Sequence, residues 1–298
     1  MDDGDYQQLL RVDGLAAANR NGFPIEVHSA GGDSGRQVDQ IQSCLREAKS
    51  QRPTVILVCP VREAALLSTA YAAARLGVGW VLLGRWSAYM ADLREEFASL
   101  PIFSVAADQR EIGRIQGQQF KALLPDGGEL VYIRGPLGTS SATRRFEGVQ
   151  QSLQDSTIKL FAITSNWTTE GGERAMKDWL QIFGKREFPK FVVGAQNDAM
   201  AMGARNALAE AARVRSDFSV DQIQVTGCDG VPDFGRRLVS EGKLRATVVM
   251  PPTAGRAINE IAPMLFGGHA RPAAEIVLAP SSFPELHLIG DSQARKRG

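Results

Sequence analysis

No apolar run in this chain approaches the about 20 residues that a membrane-spanning helix needs. Cysteine is scarce as well: Cys44, Cys59 and Cys228 are far apart and odd in number. That excludes a disulfide framework and a thiolate metal cluster, and the three read as small buried apolar residues. His28, His269 and His287 stand alone, with no HExxH and no Cys/His cluster, so neither metal nor cofactor is expected. One-sided charge is missing too, because 34 Lys and Arg face 33 Asp and Glu, a net charge of +1. Such a balance offers no electrostatic footprint for nucleic acid. The opening MDDGDYQQLL is acidic and polar, where a secretory signal would be basic and then apolar. Catalytic signatures are also lacking: there is no GxSxG elbow, GxxxxGK[ST] loop, GxGxxG turn or His/Cys pair. No enzyme is expected.

What is present is a soluble globular composition, 44% apolar and 22% charged, on 298 residues, enough for two domains. Short apolar runs alternate with amphipathic stretches. Strands are expected over residues 24–29, 54–60, 80–84, 102–106, 129–134, 158–164, 191–195, 222–228 and 244–250. Helices are expected over 34–50, 111–124, 141–153, 170–183 and 198–212, with a helix-like stretch from Tyr6. This alternation predicts βαβ units and mostly parallel sheets, an α/β fold. Asp108 and Glu111 have the spacing of an acidic capping box. Nine strands divide naturally into two sheets, with a crossing near 106–110. No Pro/Gly/Ser linker marks a boundary, and the polar tail 291–298 is expected to fray.

Several strand ends carry chemistry. VVGAQNDAMAMGARNAL runs an apolar strand straight into Asn197 and Asp198, and a helix follows at once. Either residue can cap that helix, yet ligands of open α/β sheets also bind at carboxyl strand ends. VTGCDGVPDF sets Asp229 after a strand, and VYIRGPLGTSSATRRFEG is a glycine-rich turn opening a helix with Arg144 and Arg145. WVLLGRWSAY leaves Arg85 and Trp86 at a strand end, and ITSNWTTEGG does so for Trp167. Each has a plain alternative: turn former, solvated charge or packing ring. Their convergence on carboxyl strand ends favours a binding role. The NWT triplet at Asn166 matches a glycosylation sequon, a motif too short to carry weight.

GAQNDAMAMGARNAL, TGCDGVPDFGRRLVSEGKLRATV and GTSSATRRFEGVQQSL resemble the signatures of the type I periplasmic sugar-binding proteins, the ribose-binding protein and its relatives. The effector domain of the lactose-repressor family shares that fold. The resemblance spans roughly residues 14–268. It implies two Rossmann-like, flavodoxin-like lobes with parallel sheets, a hinge, and a small sugar or polyol held in an interlobe cleft. The implied lobes are 1–106 plus 251–280 and 107–250 plus 281–298. Carried over by position, Asn197 bonds sugar hydroxyls, Asp229 takes a pair of them, Arg145 is the sugar-binding Arg, and Trp167 stacks on the ring. Arg85 matches the Arg of a strand-end Asp-Arg pair. Asp198 is then expected to start the helix or tie its first turn, while Asn197 points into the cleft. Carboxylate, amide and guanidinium suit the donors and acceptors of a sugar, and its C–H faces suit indole.

Departures are informative. Gly84 stands where the family has the Asp of its Asp-Arg pair, and Met250 where many relatives have Gln. Trp86 adds a second platform, and Tyr6 is a further candidate contact. The family begins with a strand before its first helix. Only MDDGD precedes Tyr6 here, so the first strand of the N-terminal lobe is expected to be missing, along with any signal peptide. The implied function is non-catalytic sugar or polyol binding for an ABC importer or a sensor, with an ABC permease as partner. Its compartment would be periplasmic or extracytoplasmic. The alternative is the effector-binding part of a lactose-repressor-type regulator, in the cytoplasm. A phosphorylated ligand stays open, because the GPLGTSS turn opens a helix whose N-terminus suits an anion.

Overall fold

A computed structural model describes residues 4–183, 191–214, 219–267 and 271–294. The chain divides into two compact units, 1–107 with 251–278 and 108–250 with 279–298, so it passes between them three times.

The first unit opens with α1 (Asp5–Asn21), then α2 (Ser34–Arg46), which starts on Asp33. The Asp33 carboxylate accepts the backbone N–H groups of Gly35 and Arg36, satisfying two of the donors a helix start leaves open. There follow β1 (Val55–Val58), a 3-10 turn Glu63–Leu66, α3 (Leu67–Arg75), β2 (Gly79–Leu83), α4 (Tyr89–Glu96) and β3 (Ile102–Ala107). The second unit continues with α5 (Gln109–Leu123), β4 (Gly128–Arg134), α6 (Ser140–Leu153), β5 (Ile158–Thr164) and α7 (Thr169–Phe183). Next come β6 (Phe191–Ala195), α8 (Asp198–Val214), β7 (Gln224–Thr226), a π-turn Pro232–Arg236, α9 (Arg237–Ser240) and β8 (Thr247–Val249). The chain returns to the first unit for α10 (Ala254–Gly267) and β9 (Glu275–Leu278), then ends in the second with β10 (Ser281–Phe283) and α11 (Leu286–Ala294).

In the first unit the sheet order is β1-β2-β3-β9, all parallel. β2 is buried along its whole length, as a strand covered on both faces must be. One face sends Trp80 and Leu82 into a core with Ile41, Leu45, Ala70 and Met90. Another small core joins Leu57 to Ala17 and Ala18 of α1 and Ile258 of α10. In the second unit the parallel order is β5-β4-β6-β7, with β8 and β10 an antiparallel pair. Alternation along β4 sorts the core by face. Val131 and Ile133 meet Met176, Trp179 and Met200, whereas Leu130 and Tyr132 meet Phe120, Val149 and Leu153. Each such fully buried aliphatic side chain contributes about 1.5–3 kcal/mol.

Two expectations are corrected. Residues 24–29 form no strand. Ile25 and Val27 are exposed, and extended chain without a ladder partner gains too little to count as sheet. β9 and β10 are additional strands. Of the tail, α11 runs to Ala294, and 295–298 lie outside the described residues. The capping box is half made. Asp108 accepts from Arg110 and Glu111 N–H at 3.0 Å each, while the Glu111 carboxylate turns to Arg114.

Candidate functional site

In the second unit the site is organised by Arg145. Its side chain is only 5% exposed, deeper than a charge goes without partners. Nε donates to Gln109 Oε1 at 2.8 Å, Nη1 donates to the Gln196 carbonyl, and Nη2 lies 2.9 Å from Met250 Sδ. The Asp229 carboxylate is 4.0 Å from Nη1, and the guanidinium carbon sits 5.7 Å from the Trp167 ring centre. One guanidinium thus gathers the predicted carboxylate, indole and thioether, which leave from the ends of β7, β5 and β8.

Two members of this group hold costly backbone. Among the described residues, the non-glycine positions at positive φ are Trp167, at 71°, and Asp229, at 102°. Left-handed backbone costs a side-chain-bearing residue on the order of 1–3 kcal/mol and concentrates at functional sites. Trp167 lies against Gly135, at the end of β4. A Cβ there would stand 2.0 Å from the indole Cζ2, so only glycine admits the ring in this position.

The helix start falls to Asn197, where Asp198 was expected, and Asp198 turns inward instead. Asn197 starts the helix, since its Oδ1 accepts the Met200 N–H at 2.8 Å and its Nδ2 donates to the Trp167 carbonyl at 2.8 Å. Asp198 is buried and crosses to the neighbouring loop. Its Oδ2 accepts the Gly230 N–H at 2.9 Å and its Oδ1 accepts the Thr247 hydroxyl at 2.7 Å. Both residues could cap; a buried donor pair at Gly230 and Thr247 claims the carboxylate and leaves the cap to the amide.

Glutamines that are not among the predicted site residues hold this frame. Gln196 Oε1 accepts the Gly135 N–H at 2.9 Å and Nε2 donates to the Ala142 carbonyl at 2.9 Å, binding the β4 loop to α6. On α5, Gln116 donates to the Ala195 carbonyl at 2.8 Å and accepts the Tyr132 hydroxyl at 2.6 Å. Gln119 donates to the Thr247 carbonyl at 3.1 Å. The spacing of Gln109, Gln116 and Gln119 puts all three on one helix face, the available signal for them. Cys228 is sealed behind Asp229, and burial pushes its thiol up to about 12. Asn166 shapes the loop by accepting from the Thr168 hydroxyl at 2.8 Å, and Thr168 in turn caps α7 through the Gly171 N–H at 3.0 Å.

The remaining candidates lie in the first unit. Arg85 and Trp86 follow β2, and Arg85 Nη1 is 3.3 Å from Glu63 Oε1. Trp86 is half-buried. Tyr6 is buried and donates its hydroxyl to the Pro251 carbonyl at 3.0 Å, tying α1 to the segment before α10. Among the described residues no group of three or more His, Cys, Asp or Glu is placed to hold a metal. No helix there is long and apolar enough to cross a membrane.

The chain as a whole has relatives. The chain is 28% identical over 232 residues to a xylitol-binding protein of Mycolicibacterium smegmatis, covering 77% of this chain and 60% of that protein. It is 30% identical over 166 residues to the ribose import binding protein of Salmonella typhimurium, covering 55% and 52% respectively. The chain therefore matches roughly half to three-fifths of the length of these curated relatives. Among solved structures, an ABC transporter solute-binding protein from Mycobacterium smegmatis with bound glycerol aligns with a TM-score of 0.74 at 25% identity. That alignment covers 93% of this chain and 88% of that one. The periplasmic binding protein domain matches residues 2–269, so this two-unit α/β chain belongs to that family, in its type I sugar-binding branch.

Proposed function

We propose that the protein binds a small neutral sugar or polyol without transforming it, as the solute-binding component of an ABC importer. The observation that carries the reading is the Arg145 cluster: a buried guanidinium bracketed by the Asp229 carboxylate and the Trp167 ring, with both of those residues held at positive φ. Acid and guanidinium offer hydroxyls paired acceptors and donors, and the indole face offers C–H groups a flat apolar surface. Nothing in the cluster supplies a nucleophile with an adjacent base. Relatives named for xylitol and ribose, and one holding glycerol, support a hydroxylated ligand. By the same reading the protein works outside the cytoplasm beside a permease.

The test is a thermal-shift screen with xylitol, ribose, myo-inositol and glycerol, followed by calorimetry. At least one is expected to raise the melting temperature, and Trp167→Ala is expected to abolish that rise. An undiminished response in Trp167→Ala would remove the site from consideration, and silence across the panel would remove the ligand class.

A further inference from the structure

Beside β1 the first unit holds two lengths of chain that run the same way without pairing. β1 is the edge of its sheet, half-buried at Val55, Ile56 and Leu57 and buried at Val58. Edge strands are ordinarily blunted by charge, proline or a bulge, and Val-Ile-Leu-Val has none of these. Its composition is that of an interior parallel strand such as β2. The other length is residues 23–30, which run without helix, turn or bend, with 24–29 all exposed. Glu26 and His28 meet at 3.0 Å, and Ile25 and Val27 alternate with them, the period of a strand, yet no ladder forms. The two lengths are neighbours at two places. Phe23 and Leu57 pack on the same cluster of Ala17, Ala18 and Ile258. Further on, α2 holds both: Gln40 Nε2 donates to the Ser29 carbonyl and Gln37 Nε2 to the Cys59 carbonyl, each at 2.9 Å. Gln37 Oε1 also accepts the Val61 N–H at 2.9 Å. These glutamines share one helix face, about 5–6 Å apart at Cβ. Their outstretched amides suit chains separated by twice the about 4.7–4.9 Å of paired strands.

We propose that the gap between residues 24–29 and β1 is a docking slot for one extended strand of a separate polypeptide, taken up parallel to both. The proposal is independent of the sugar or polyol reading, because every group in it belongs to the first unit. The backbone chooses the occupant. An edge strand turns alternate N–H and C=O groups outward, and an extended chain is what matches that row. Pairing on one side with β1 and on the other with residues 24–29, the incoming strand would form two ladders at once and carry the sheet on past β1. A strand in that interior position is apolar on both faces and free of proline. Its length follows from the four residues of β1, so a core of about four or five residues fills the slot.

The probe is a synthetic peptide with a Val-Ile-Val-Leu-Val core between lysine pairs, and its control carries proline at the central valine, which removes a ladder donor. Both are added to the whole chain and followed by calorimetry, thermal melts and hydrogen exchange. The probe is expected to raise the melting temperature and to slow amide exchange in residues 24–29 and in Val55–Val58 about tenfold. The control is expected to bind about tenfold more weakly, or not at all. Glu26→Pro/Val27→Pro removes two adjacent donors, one of which faces the slot whichever way the chain is turned. Both positions are exposed and outside any ladder, so this variant should melt like wild type and lose most of the probe affinity. Failure of the probe to bind, equal binding of probe and control, or protection confined to other segments overturns the proposal. A dimer that forms without peptide and protects the same amides also overturns it, because the slot then belongs to a second copy. If the double variant does not fold, the comparison of probe and control on wild type decides.

Discussion

The side-chain amide of Asn197 is shared between two jobs: Nδ2 holds the Trp167 carbonyl at 2.8 Å while Oδ1 holds the Met200 N–H at 2.8 Å. The start of α8 and the loop after β5 are therefore fixed by one residue. Asn197→Ala is expected to lose the cap, at about 1 kcal/mol, and to free the Trp167 carbonyl. Both the melting temperature of the unliganded protein and the ligand-induced rise should fall. Asn197→Asp keeps the cap acceptor but not the amide donor, so it should recover most of the unliganded stability and little of the ligand response. Equal behaviour of the two variants in a melt would contradict this division.

Gly135→Ala places a methyl group where the indole of Trp167 now lies. The ring is expected to move rather than the strand end, because the Gly135 N–H is held by Gln196. Intrinsic tryptophan fluorescence should shift, and ligand affinity should fall at least tenfold. Unchanged affinity would show that the ring position does not matter for binding.

Asp229→Ala removes the acid facing Arg145 and leaves Cβ-bearing backbone at φ 102°. The loss is expected to be about 1–3 kcal/mol, the range for leaving a buried polar partner unmatched. Asp229→Gly removes the same carboxylate but relieves the backbone, so it should melt higher than the alanine variant while binding no better. A glycine variant that melts lower than the alanine variant would show that φ at this position carries no strain.

Alkaline stability tests the buried thiol. An unfolded Cys228 ionises near its ordinary 9.0, whereas burial holds the folded one protonated until about 12. Between those values the unfolded chain binds fewer protons, so stability falls as pH rises. Tyr89, raised by burial from 10.0 to about 12, acts in the same direction. The melting temperature should drop steeply above about pH 9, and Cys228→Ala should flatten that drop while lowering the plateau at pH 7. An identical slope would assign the alkaline loss to other groups.

The sequence made the second unit more legible than the first. The spans 158–164 and 191–195 coincide with β5 and β6, because each is a continuous β-rich run closed by polar turns. β10 is three residues long and owes its existence to a ladder with β8, a distant partner that no local pattern reveals. Arg145, Trp167 and Asp229 stand out by residue type at strand ends, whereas Met250 enters only through the family resemblance. The glutamines that orient them do not stand out. Buried amides interrupt a hydrophobic stripe without marking a site, and their meaning lies in which distant carbonyl they reach. That Asn197 and not Asp198 caps α8 was hidden for the same reason, since the donors that claim the Asp198 carboxylate belong to Gly230 and Thr247.

The three contacts that seize the guanidinium of Arg145 from inside its own unit have a thermodynamic corollary. A long cationic side chain ordinarily surrenders about 1.5–2 kcal/mol of rotamer entropy when it is immobilised. Here that loss falls on folding, and an arriving solute meets a donor array already pointing in one direction. Recognition that starts from such stiffness favours slow dissociation over rapid capture.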